Sequence, residues 1–587
     1  MKKIRQESGQ LPLPPKKPPG GEGYDIYPSF NVGEGKIFAG FASLVHSFIS
    51  HRTVIIDGYT GVYWDLLKDQ ILNSLEDTGV TARCFISSEF LKPEQEIKEV
   101  TSPYSGGSDP LFGTRCGLPL ASFFRMPDLT ALRPDPDYDV NIIIGPGASL
   151  AGWQGLMIYA DLPKNEQQYR ARAGSITNLG LSRPGDAGTM YKRSYFIDWP
   201  VLNRHKQEIL PFADIVIDAQ RPDEPVWMEG KVLREALSEM SRNLFRVRPW
   251  FEPGPWGGTW IRENISGLNR NVPNYAWSFE LISPENGLLL ESSSLLLEVS
   301  FDSLMYTGAK EVLGDCHERF GTEFPIRFDF LDTFNGGPLS VQCHPRPGYA
   351  KQHFGENFTQ EEAYYIVDTK DDAFVYLGFH DDIDPGEFVT ALKVSAENNK
   401  PLDVDRYVQR QRADKHDLFL IPSGTIHGSG KNNMVLEISS TPYIFTFKMY
   451  DWLRMDLNGR PRNLNIERAG ENLFFDRKGE YVSEQLKSKP VLLSEGDGWT
   501  QWHLPTHETH LYDVMRYSIR SSVDIHTGNK CLVMNLVEGH SVIVETRGGM
   551  RQKISYAETF VIAAAAETVR ITNIADDEAI IVMAFVK

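Results

Sequence analysis

The sequence has few cysteines, no long apolar run and no excess of positive charge, and each of these absences narrows what the protein can be. Its 587 residues contain five scattered cysteines and no Cys-x-x-Cys pair, which excludes a disulfide framework and favours a reducing compartment. No apolar run reaches the roughly 18 residues of a membrane span, and no hydrophobic signal segment opens the chain. The net charge of −18 argues against nucleic-acid and anionic-membrane partners. We therefore expect a cytoplasmic protein with neither partner.

The composition is that of an ordinary globular protein, and the length calls for more than one domain. Hydrophobic residues make up 41% and charged residues 24% of the chain, whose 587 residues exceed what one core usually supports. Residues 1–23 are rich in Pro, Gly and Lys, which predicts a flexible arm. Residues 24–243 alternate apolar strand runs with helical stretches, as α/β domains do. From residue 244 onward, short strands between Gly, Pro and Asn turns predict a mainly β region with some helix.

Four apolar runs and one helical stretch define the predicted α/β domain. A segment that begins at Trp64 has apolar residues at helical spacing and ends at a glycine, which predicts a helix after the first strand. The candidate strands are residues 53–57, 141–144, 156–162 and 213–218.

Four residues of metal-binding type occur in the β region in an order that a small barrel can bring together. They are Gln342, His344, Glu362 and His427, each in or beside a short apolar strand pattern. Because strand side chains alternate between faces, Gln342 and His344 point the same way. Two adjacent hairpins could then present two nitrogens and two oxygens to one ion, a set that suits zinc with an exchangeable water. For any single histidine, an ordinary polar residue at a strand end is the alternative.

Motifs spread over roughly the last 340 residues carry a family resemblance. They are PWGGT (255–259), WSFE (277–280), FPIRF (324–328), LSVQCHP (339–345), IPSGTIH (421–427), YDWLR (450–454) and GRPR (459–462). This region resembles the type I mannose-6-phosphate isomerases (phosphomannose isomerases), which are zinc-dependent cupin enzymes. The resemblance implies a jelly-roll fold, one Zn²⁺ per chain, and Gln342, His344, Glu362 and His427 as its ligands. The same four residues follow from the alternation of strand faces.

The resemblance also implies an activity and a set of residues around the metal. The implied enzyme interconverts mannose 6-phosphate and fructose 6-phosphate through an enediolate, so its partner is a sugar phosphate. Such a reaction needs an acid–base group and positive charge where the oxyanion develops. We expect Lys448 and Glu437 to be catalytic and Arg454 to bind substrate. A surface ion pair between Arg454 and Asp451 or Asp456 is the alternative for that residue.

Two departures from the family pattern leave more than one function open. The family has an Arg where this chain has Lys448, which keeps the charge but lacks the planar fork of a guanidinium. It usually has a Lys two residues before the metal-binding Glu, where this chain has Gln360. Arg346 is a candidate to replace a lost cation and bind substrate. The alternative to an active isomerase is a catalytically impaired sugar-phosphate-binding or regulatory zinc cupin; a cupin enzyme for another sugar is a third.

The last part of the chain repeats the barrel pattern without its metal-binding residues. Residues 417–424 can be laid over residues 558–565, and His427 then falls on Thr568. The preceding strands offer only Glu538 and His540, and we give His540 no ligand role. These patterns predict a metal-binding cupin over residues 244–494 and a second, metal-free cupin over residues 495–587 that covers the first. The oligomeric state, a homo-oligomer included, is left open.

The turn after the first predicted strand, residues 58–65, lies where a P-loop would lie in a nucleotide-binding domain. With the later strands following in order, the domain weakly resembles uridine-kinase-like nucleoside kinases. A working loop needs Gly, Lys and Ser or Thr where this chain has Tyr63, Trp64 and Asp65. The resemblance implies a degenerate P-loop kinase-like domain that does not transfer phosphate. A strand–turn–helix with coincidental glycines is the alternative.

Overall fold

The computed structural model describes residues 4–6, 9–18, 22–456 and 459–587. Within these ranges the chain is multidomain and mostly β, with six sheets and a smaller share of helix. All five cysteines are free thiols, so the prediction that they form no disulfide framework is confirmed. No helix in the described ranges is both long enough and apolar enough to cross a membrane.

The N-terminal domain, residues 24–243, is built on a seven-stranded sheet. Its five central strands are parallel, and two antiparallel strands extend one edge. The predicted strands and the helix Trp64–Glu76 are confirmed, with strand ends displaced by at most two residues. In spatial order the strands are Ile37–Ala39, Val226–Glu229, Ile215–Asp218, Leu156–Asp161, Thr53–Gly58, Val140–Ile144 and Ala82–Ile86.

Continuous apolar runs explain why the central strands are parallel. Val54, Ile55 and Ile56 are successive residues with at most 1% exposure, so both faces of the sheet are covered. A π-helical turn, Ser194–Asp198, joins two of the covering helices. The helices are Phe41–Phe48, Trp64–Glu76, Glu94–Thr101, Met126–Ala131, Lys164–Arg172, Ala187–Arg193, Trp199–Ile209 and Gly230–Met240.

The turn after the strand Thr53–Gly58 is held by internal contacts of its own domain. The Asp57 carboxylate accepts the backbone N–H groups of Gly147 and Ser149, each at 2.9 Å, and lies 2.9 Å from Nε2 of His205. Arg170 donates to the carbonyl of Gly61 at 2.8 Å. The strand–turn–helix is therefore present as local structure. Its kinship to nucleoside kinases stays a prediction.

The carboxyl edge of this sheet is occupied by a strand from the central part of the chain. Asp161 accepts the backbone N–H of Ser300 at 2.8 Å, and Asp218 accepts that of Glu298 at 3.0 Å. In open α/β sheets this is the edge at which ligands usually bind. Here it serves instead to dock the strand Leu295–Ser300 onto the N-terminal domain.

A three-stranded sheet adds a second connection and also receives the N-terminal segment. Its strands are Ser29–Asn31, Gly287–Ser292 and Leu295–Ser300. Leu13 is 2% exposed, and the N–H of Lys17 donates to the carbonyl of Ser294 at 2.7 Å. The expected flexible arm is thus corrected for its described residues, which pack onto the body. Prolines restrict the segment to extended conformations, so it loses less entropy on docking.

The central barrel, our name for the two sheets that follow the N-terminal domain, is entirely antiparallel. One sheet has the strand order Trp250–Glu252, Trp277–Leu281, Ile326–Asp332, Asn433–Ser440, Glu361–Thr369 and Leu418–Ile421. The other has the order Val408–Arg412, Phe374–Phe379, His427–Ser429, Val341–Cys343 and Phe447–Tyr450. The accompanying helices are Trp260–Asn264, Asp302–Leu313, His317–Phe320, Pro347–Phe354, Pro385–Asn398, Ile466–Asn472 and Glu480–Gln485.

The C-terminal barrel also consists of two antiparallel sheets. The larger has the order Val491–Gly496, Trp499–Leu504, Tyr512–Ile519, Ala579–Val586, Leu532–Glu538, Thr559–Ile562 and Leu244–Phe245. The smaller has the order Ser522–His526, Thr568–Asn573, Ser541–Thr546 and Arg551–Ser555. This barrel begins a few residues before the expected boundary at 495 and borrows one short strand from residues 244–245. The phenol of Tyr512 donates to the carbonyl of Ile438 at 2.7 Å and so ties it to the central barrel.

A candidate metal site and the cavity above it

Three side chains converge where the two sheets of the central barrel meet. The potential ligand atoms of His344, Glu362 and His427 all lie within 4.8 Å of one another. Their side chains are at most 1% exposed. Gln342 lies directly opposite His427 on the neighbouring strand, and Glu362 comes from the facing sheet. A His/Glu/His cluster that could hold a metal ion is therefore present.

Hydrogen bonds orient both histidines so that the same ring nitrogen points into the cluster. Nδ1 of His344 lies 3.0 Å from the carbonyl of Phe445, and Nδ1 of His427 lies 2.9 Å from that of Thr425. A carbonyl can only accept, so each Nδ1 carries a hydrogen, and in the neutral ring the lone pair is then on Nε2. Both Nε2 atoms face Glu362, that of His427 at 3.7 Å.

The protonation state of the cluster also suits a metal. Burial lowers the pKa of His427 to about 4, so its ring is neutral at physiological pH. One oxygen of Glu362, Oε1, is buried and has no hydrogen-bond partner. Neutral imidazoles and an ionised carboxylate are the forms in which these residues bind metals. The donor set is consistent with a borderline-soft divalent ion.

Two glutamines border the cluster. The amide of Gln342 lies 3.3 Å from Nε2 of His427, and its oxygen accepts the hydroxyl of Ser340 at 2.8 Å. Gln360 accepts the N–H of Phe445 at 3.0 Å and reaches Glu362 with its amide nitrogen at 3.4 Å. Gln360 thus contacts the carboxylate of the cluster, although it brings no charge. Gln342 is placed beside the cluster, and its role as a ligand stays a prediction.

A row of acidic side chains leads from the cluster into open space. Asp329, Glu437 and Tyr364 are directly opposite one another on three adjacent strands. Burial and then the charge of Asp329 raise the pKa of Glu437 well above its ordinary value, and burial and then Glu362 do the same for Asp329. Carboxyl groups with raised pKa are suited to proton transfer near neutral pH. Asp329 was missed from the sequence, where the alternation in FPIRFDFLD was the available signal.

The cation expected from the sequence at position 448 is beside the cluster. Lys448 is directly opposite Gln342 on the adjoining strand. Burial and then the charge of Arg462 lower the pKa of Lys448 to about 8. Among the described residues its ammonium group has no hydrogen-bond or ion-pair partner. A half-buried cation on the cavity wall beside a metal-type cluster is available to bind an anionic group.

The other two expected cations, Arg454 and Arg346, are not among the cavity-lining residues, and their role in substrate binding stays a prediction. Arg454 pairs with Asp451 at 2.6 Å, as its alternative interpretation held. Arg346 contacts the carbonyl of Glu471 and lies over the ring of Phe474, away from the cavity. Arg454 therefore binds a residue of its own segment, whereas Arg346 contacts residues far away in the sequence.

A cavity of about 660 Å³ lies beside the cluster, separated from it by Gln342 and Gln360, and both the central barrel and the N-terminal domain line it. Three guanidinium groups, those of Arg172, Arg327 and Arg462, are on its wall. Arg327 is 4% exposed, and its Nε has no hydrogen-bond partner. The central barrel contributes Gln342, Gln360, Glu437, Ser439 and Lys448, and the N-terminal domain contributes Gln168, Arg172, Tyr191, Ser194 and Trp199.

Known proteins resemble different parts of the chain. Residues 40–242 match a family described as a domain of unknown function (DUF8485). A stretch of 233 residues, 40% of the chain, is 30% identical to the probable mannose-6-phosphate isomerase GmuF of Bacillus subtilis and covers 68% of that protein. The mannose-6-phosphate isomerase ManA of the same organism is 26% identical over 224 residues, which are 38% of this chain and 66% of ManA. The structure of a B. subtilis mannose 6-phosphate isomerase aligns with a TM-score of 0.47 and 20% identity, over 58% of this chain and 99% of that one.

Proposed function

Because the chain belongs to the mannose-6-phosphate isomerase family, we propose that it is a metal-dependent isomerase that interconverts mannose 6-phosphate and fructose 6-phosphate. The observation that carries the proposal is the buried cluster of His344, Glu362 and His427, which lies behind the cavity-lining residues Gln342 and Gln360. Aldose–ketose interconversion needs charge stabilisation next to an acid–base group, and the cavity offers both.

We propose zinc as the ion, with Gln342, His344, Glu362 and His427 as its ligands. Two imidazole nitrogens and a carboxylate are common zinc ligands, and the Nε2 lone pairs and the unpaired Oε1 of Glu362 support the assignment. When bound, the ion supplies positive charge that polarises the carbonyl and hydroxyl oxygens of the open-chain sugar.

The proton transfer is assigned to Glu437. In the direction from aldose to ketose, its carboxylate takes the proton from C2, the electrons of that C–H bond form the enediolate, and the proton returns to C1. The hydroxyl proton of O2 passes to O1 in the same interconversion, so that no proton is gained or lost overall. The raised pKa of Glu437 makes its carboxylate a stronger base than an exposed one. The ammonium of Lys448 stabilises the negative charge that develops on oxygen. No oxidant or further reactant is consumed.

The phosphate is assigned to the guanidinium groups that line the cavity. Arg462 is the candidate because it lines the cavity and its charge lowers the pKa of Lys448; one of its nitrogens pairs with Asp451 at 2.5 Å, so its remaining N–H groups would bind the phosphate. A guanidinium can donate two parallel hydrogen bonds to a phosphate. This assignment replaces Arg454 and Arg346 as the phosphate-binding residues.

A coupled assay with mannose 6-phosphate, run beside the same assay with free mannose, tests the function. We expect turnover of the phosphorylated sugar, loss of turnover after treatment with a chelator, and recovery on addition of zinc. Sugar-phosphate binding without turnover in the zinc-loaded protein would contradict the isomerase proposal and favour a binding or regulatory protein. Full turnover in protein shown by metal analysis to be metal-free would contradict the role of the ion.

A further inference from the structure

The half of the cavity that is remote from the metal cluster lies between two domains. Three polar contacts hold its N-terminal wall in place. Arg172 donates to Glu252 at 2.7 Å, Tyr191 donates to Glu285 at 2.7 Å, and Gln168 donates to the other oxygen of Glu285. Both carboxylates belong to the central region of the chain. The N-terminal domain is therefore fixed against the cavity as part of its wall.

The floor of this outer half is aromatic. Trp277 and Phe279 alternate along one strand, so both rings point to the same face, and both remain half-exposed among cavity-lining residues. Their rings lie 23° from parallel with centroids 6.0 Å apart. Trp250 packs behind Phe279 at 4.6 Å, and Trp256 packs edge-on against Trp277 at 4.4 Å. The two exposed rings form a supported, nearly flat apolar surface.

The wall and the floor are close to each other. Arg172 binds Glu252, and Glu252 is the direct cross-strand neighbour of Trp277. On the next pair of that ladder, Trp250 is opposite Phe279, and the ring of Tyr169 packs edge-on against Trp250 at 6.3 Å. A ligand lying on the aromatic floor would therefore be within reach of the N-terminal wall.

The cavity is longer than one hexose phosphate needs. Trp250, Phe279, Asp329 and Glu437 line the cavity and form one row over four adjacent strands, a span of about 14 Å at the usual strand spacing. The volume of about 660 Å³ corresponds to that of roughly 20 water molecules in the liquid. With a hexose at the metal cluster, the aromatic floor would be left uncovered.

We propose that the outer half is a subsite for a second sugar ring, so that the substrate is a disaccharide with a free reducing end, or its phosphate. The reducing hexose lies at the metal cluster, where C1 and C2 exchange the proton. The second ring lies with its apolar face on Trp277 and Phe279 and its hydroxyls toward Arg172 and Tyr191. An aromatic face and a few fixed polar groups suit a sugar ring, which has both kinds of surface. The inference rests on the proposed function, since only a reducing end can isomerise.

Calorimetric titration of the zinc-loaded full chain tests the subsite without turnover. The matched ligands are mannose against a mannose disaccharide, and mannose 6-phosphate against that disaccharide phosphorylated at C6 of its reducing ring. We expect each disaccharide to bind at least about tenfold more tightly than its monosaccharide, which is the effect of about 1.4 kcal/mol of stacking. Equal affinities within both pairs would overturn the proposal.

Variants of the aromatic floor test whether Trp277 causes the preference for disaccharides. Trp277→Ala should reduce the affinity ratio to about one, whereas Trp277→Phe, which keeps an aromatic face, should preserve most of it. Trp502→Ala, on the C-terminal barrel, is the matched control and should leave the ratio unchanged. Melting temperature and zinc content show that each variant is folded and loaded. A ratio that survives Trp277→Ala in a folded variant would overturn the proposal.

The outcomes separate this inference from the proposed function. Tight disaccharide binding without isomerisation of any ligand would sink the isomerase proposal and leave the subsite standing. Turnover of mannose 6-phosphate with no preference for a disaccharide would do the reverse. Arg172→Gln, which can still reach Glu252, should lower the ratio by a smaller factor than Trp277→Ala if the N-terminal wall touches the second ring.

Discussion

The central barrel and the C-terminal barrel have the same architecture, and they differ in which side chains point inward. In the central barrel the inner face includes His344, Glu362 and His427, all with 0% exposure. In the C-terminal barrel the corresponding space is filled by apolar residues such as Leu536 and Phe560, also with 0% exposure. Thr568, the counterpart of His427, is half-exposed and lies 3.0 Å from the ring of His526.

The difference shows that the barrel as such does not make the site. Buried polar groups destabilise a fold unless they are hydrogen-bonded. The central barrel meets this condition at Nδ1 of each histidine and leaves Nε2 of each, and Oε1 of Glu362, for another purpose. The C-terminal barrel avoids the problem with an apolar core. The inner face of the central barrel carries a cluster that could hold a metal ion, and that of the C-terminal barrel carries an apolar core.

The largest expected effect comes from removing a residue of the cluster. His427→Ala should release the metal and lower kcat/KM at least about 1,000-fold, which is about 4 kcal/mol. The matched change in the other barrel, Thr568→Ala, should change neither the metal content nor kcat/KM. Metal analysis and the coupled assay measure both effects. Full metal content in folded His427→Ala would remove the residue from the ligand set.

A substitution that leaves a void in the apolar core of the C-terminal barrel should lower stability without affecting the metal. Leu536→Ala in the C-terminal barrel should cost about 3 kcal/mol of unfolding free energy and lower the melting temperature, with zinc content unchanged. Leu377→Ala in the central barrel should cost a similar amount and also weaken metal binding, because Leu377 is opposite His427. Zinc titrations and thermal melts of both variants test this. Loss of zinc from Leu536→Ala would mean that the two barrels are coupled.

The pH dependence of activity should reveal the charge that only the central barrel buries. Since the pKa of Lys448 is lowered to about 8, its ammonium is lost as the pH rises through 8. Activity that needs this charge should fall about tenfold between pH 7 and pH 9. Lys448→Arg keeps its charge over this range and should abolish the fall. An unchanged alkaline limb in an active Lys448→Arg variant would assign that limb to another group.

The smallest expected effect is on the stability of the N-terminal domain. Burial would lower the pKa of His205, but the carboxylate of Asp57 raises it above 6.5. The pair therefore stabilises the fold fully below pH 6.5, and this contribution is lost as the pH rises through the raised pKa. His205→Gln should cost about 1.5 kcal/mol at pH 6 and less at pH 9.5. Thermal melts at the two pH values measure the difference in unfolding free energy between the variant and the unchanged protein. An equal difference at both pH values would exclude the ion pair.

Local alternation was enough to find the metal cluster, but not the rest of the cavity. Gln342 and His344 are two residues apart, so the period of a strand places them on one face. Asp329 joins Glu437 only through the register of two strands that lie about a hundred residues apart in the chain. The contacts of Arg172 and Tyr191 with the central region are equally long-range. Periodicity carries no information about such pairings.

The same limit applies to single residues. Proline content predicted a flexible arm, because composition cannot show that Leu13 has an apolar surface to pack against. Arg454 and Arg346 were chosen for charge and nearness in sequence, and each satisfies an oxygen acceptor nearby. Four of the five parallel strands, in contrast, follow from their own apolar runs and needed no partner to be recognised, whereas the edge strand Ala82–Ile86 was not predicted.

The docking of the strand Leu295–Ser300 onto Asp161 and Asp218 has a consequence for biosynthesis. The N-terminal sheet leaves the ribosome before the strand that completes its carboxyl edge, and domains generally fold in the order of synthesis. Before residue 300 has emerged, Lys206 already binds Asp161 at 2.9 Å and the N–H of Gln220 already binds Asp218 at 2.9 Å. The carboxylates that later receive Ser300 and Glu298 are thus positioned by their own domain before the docking strand is made.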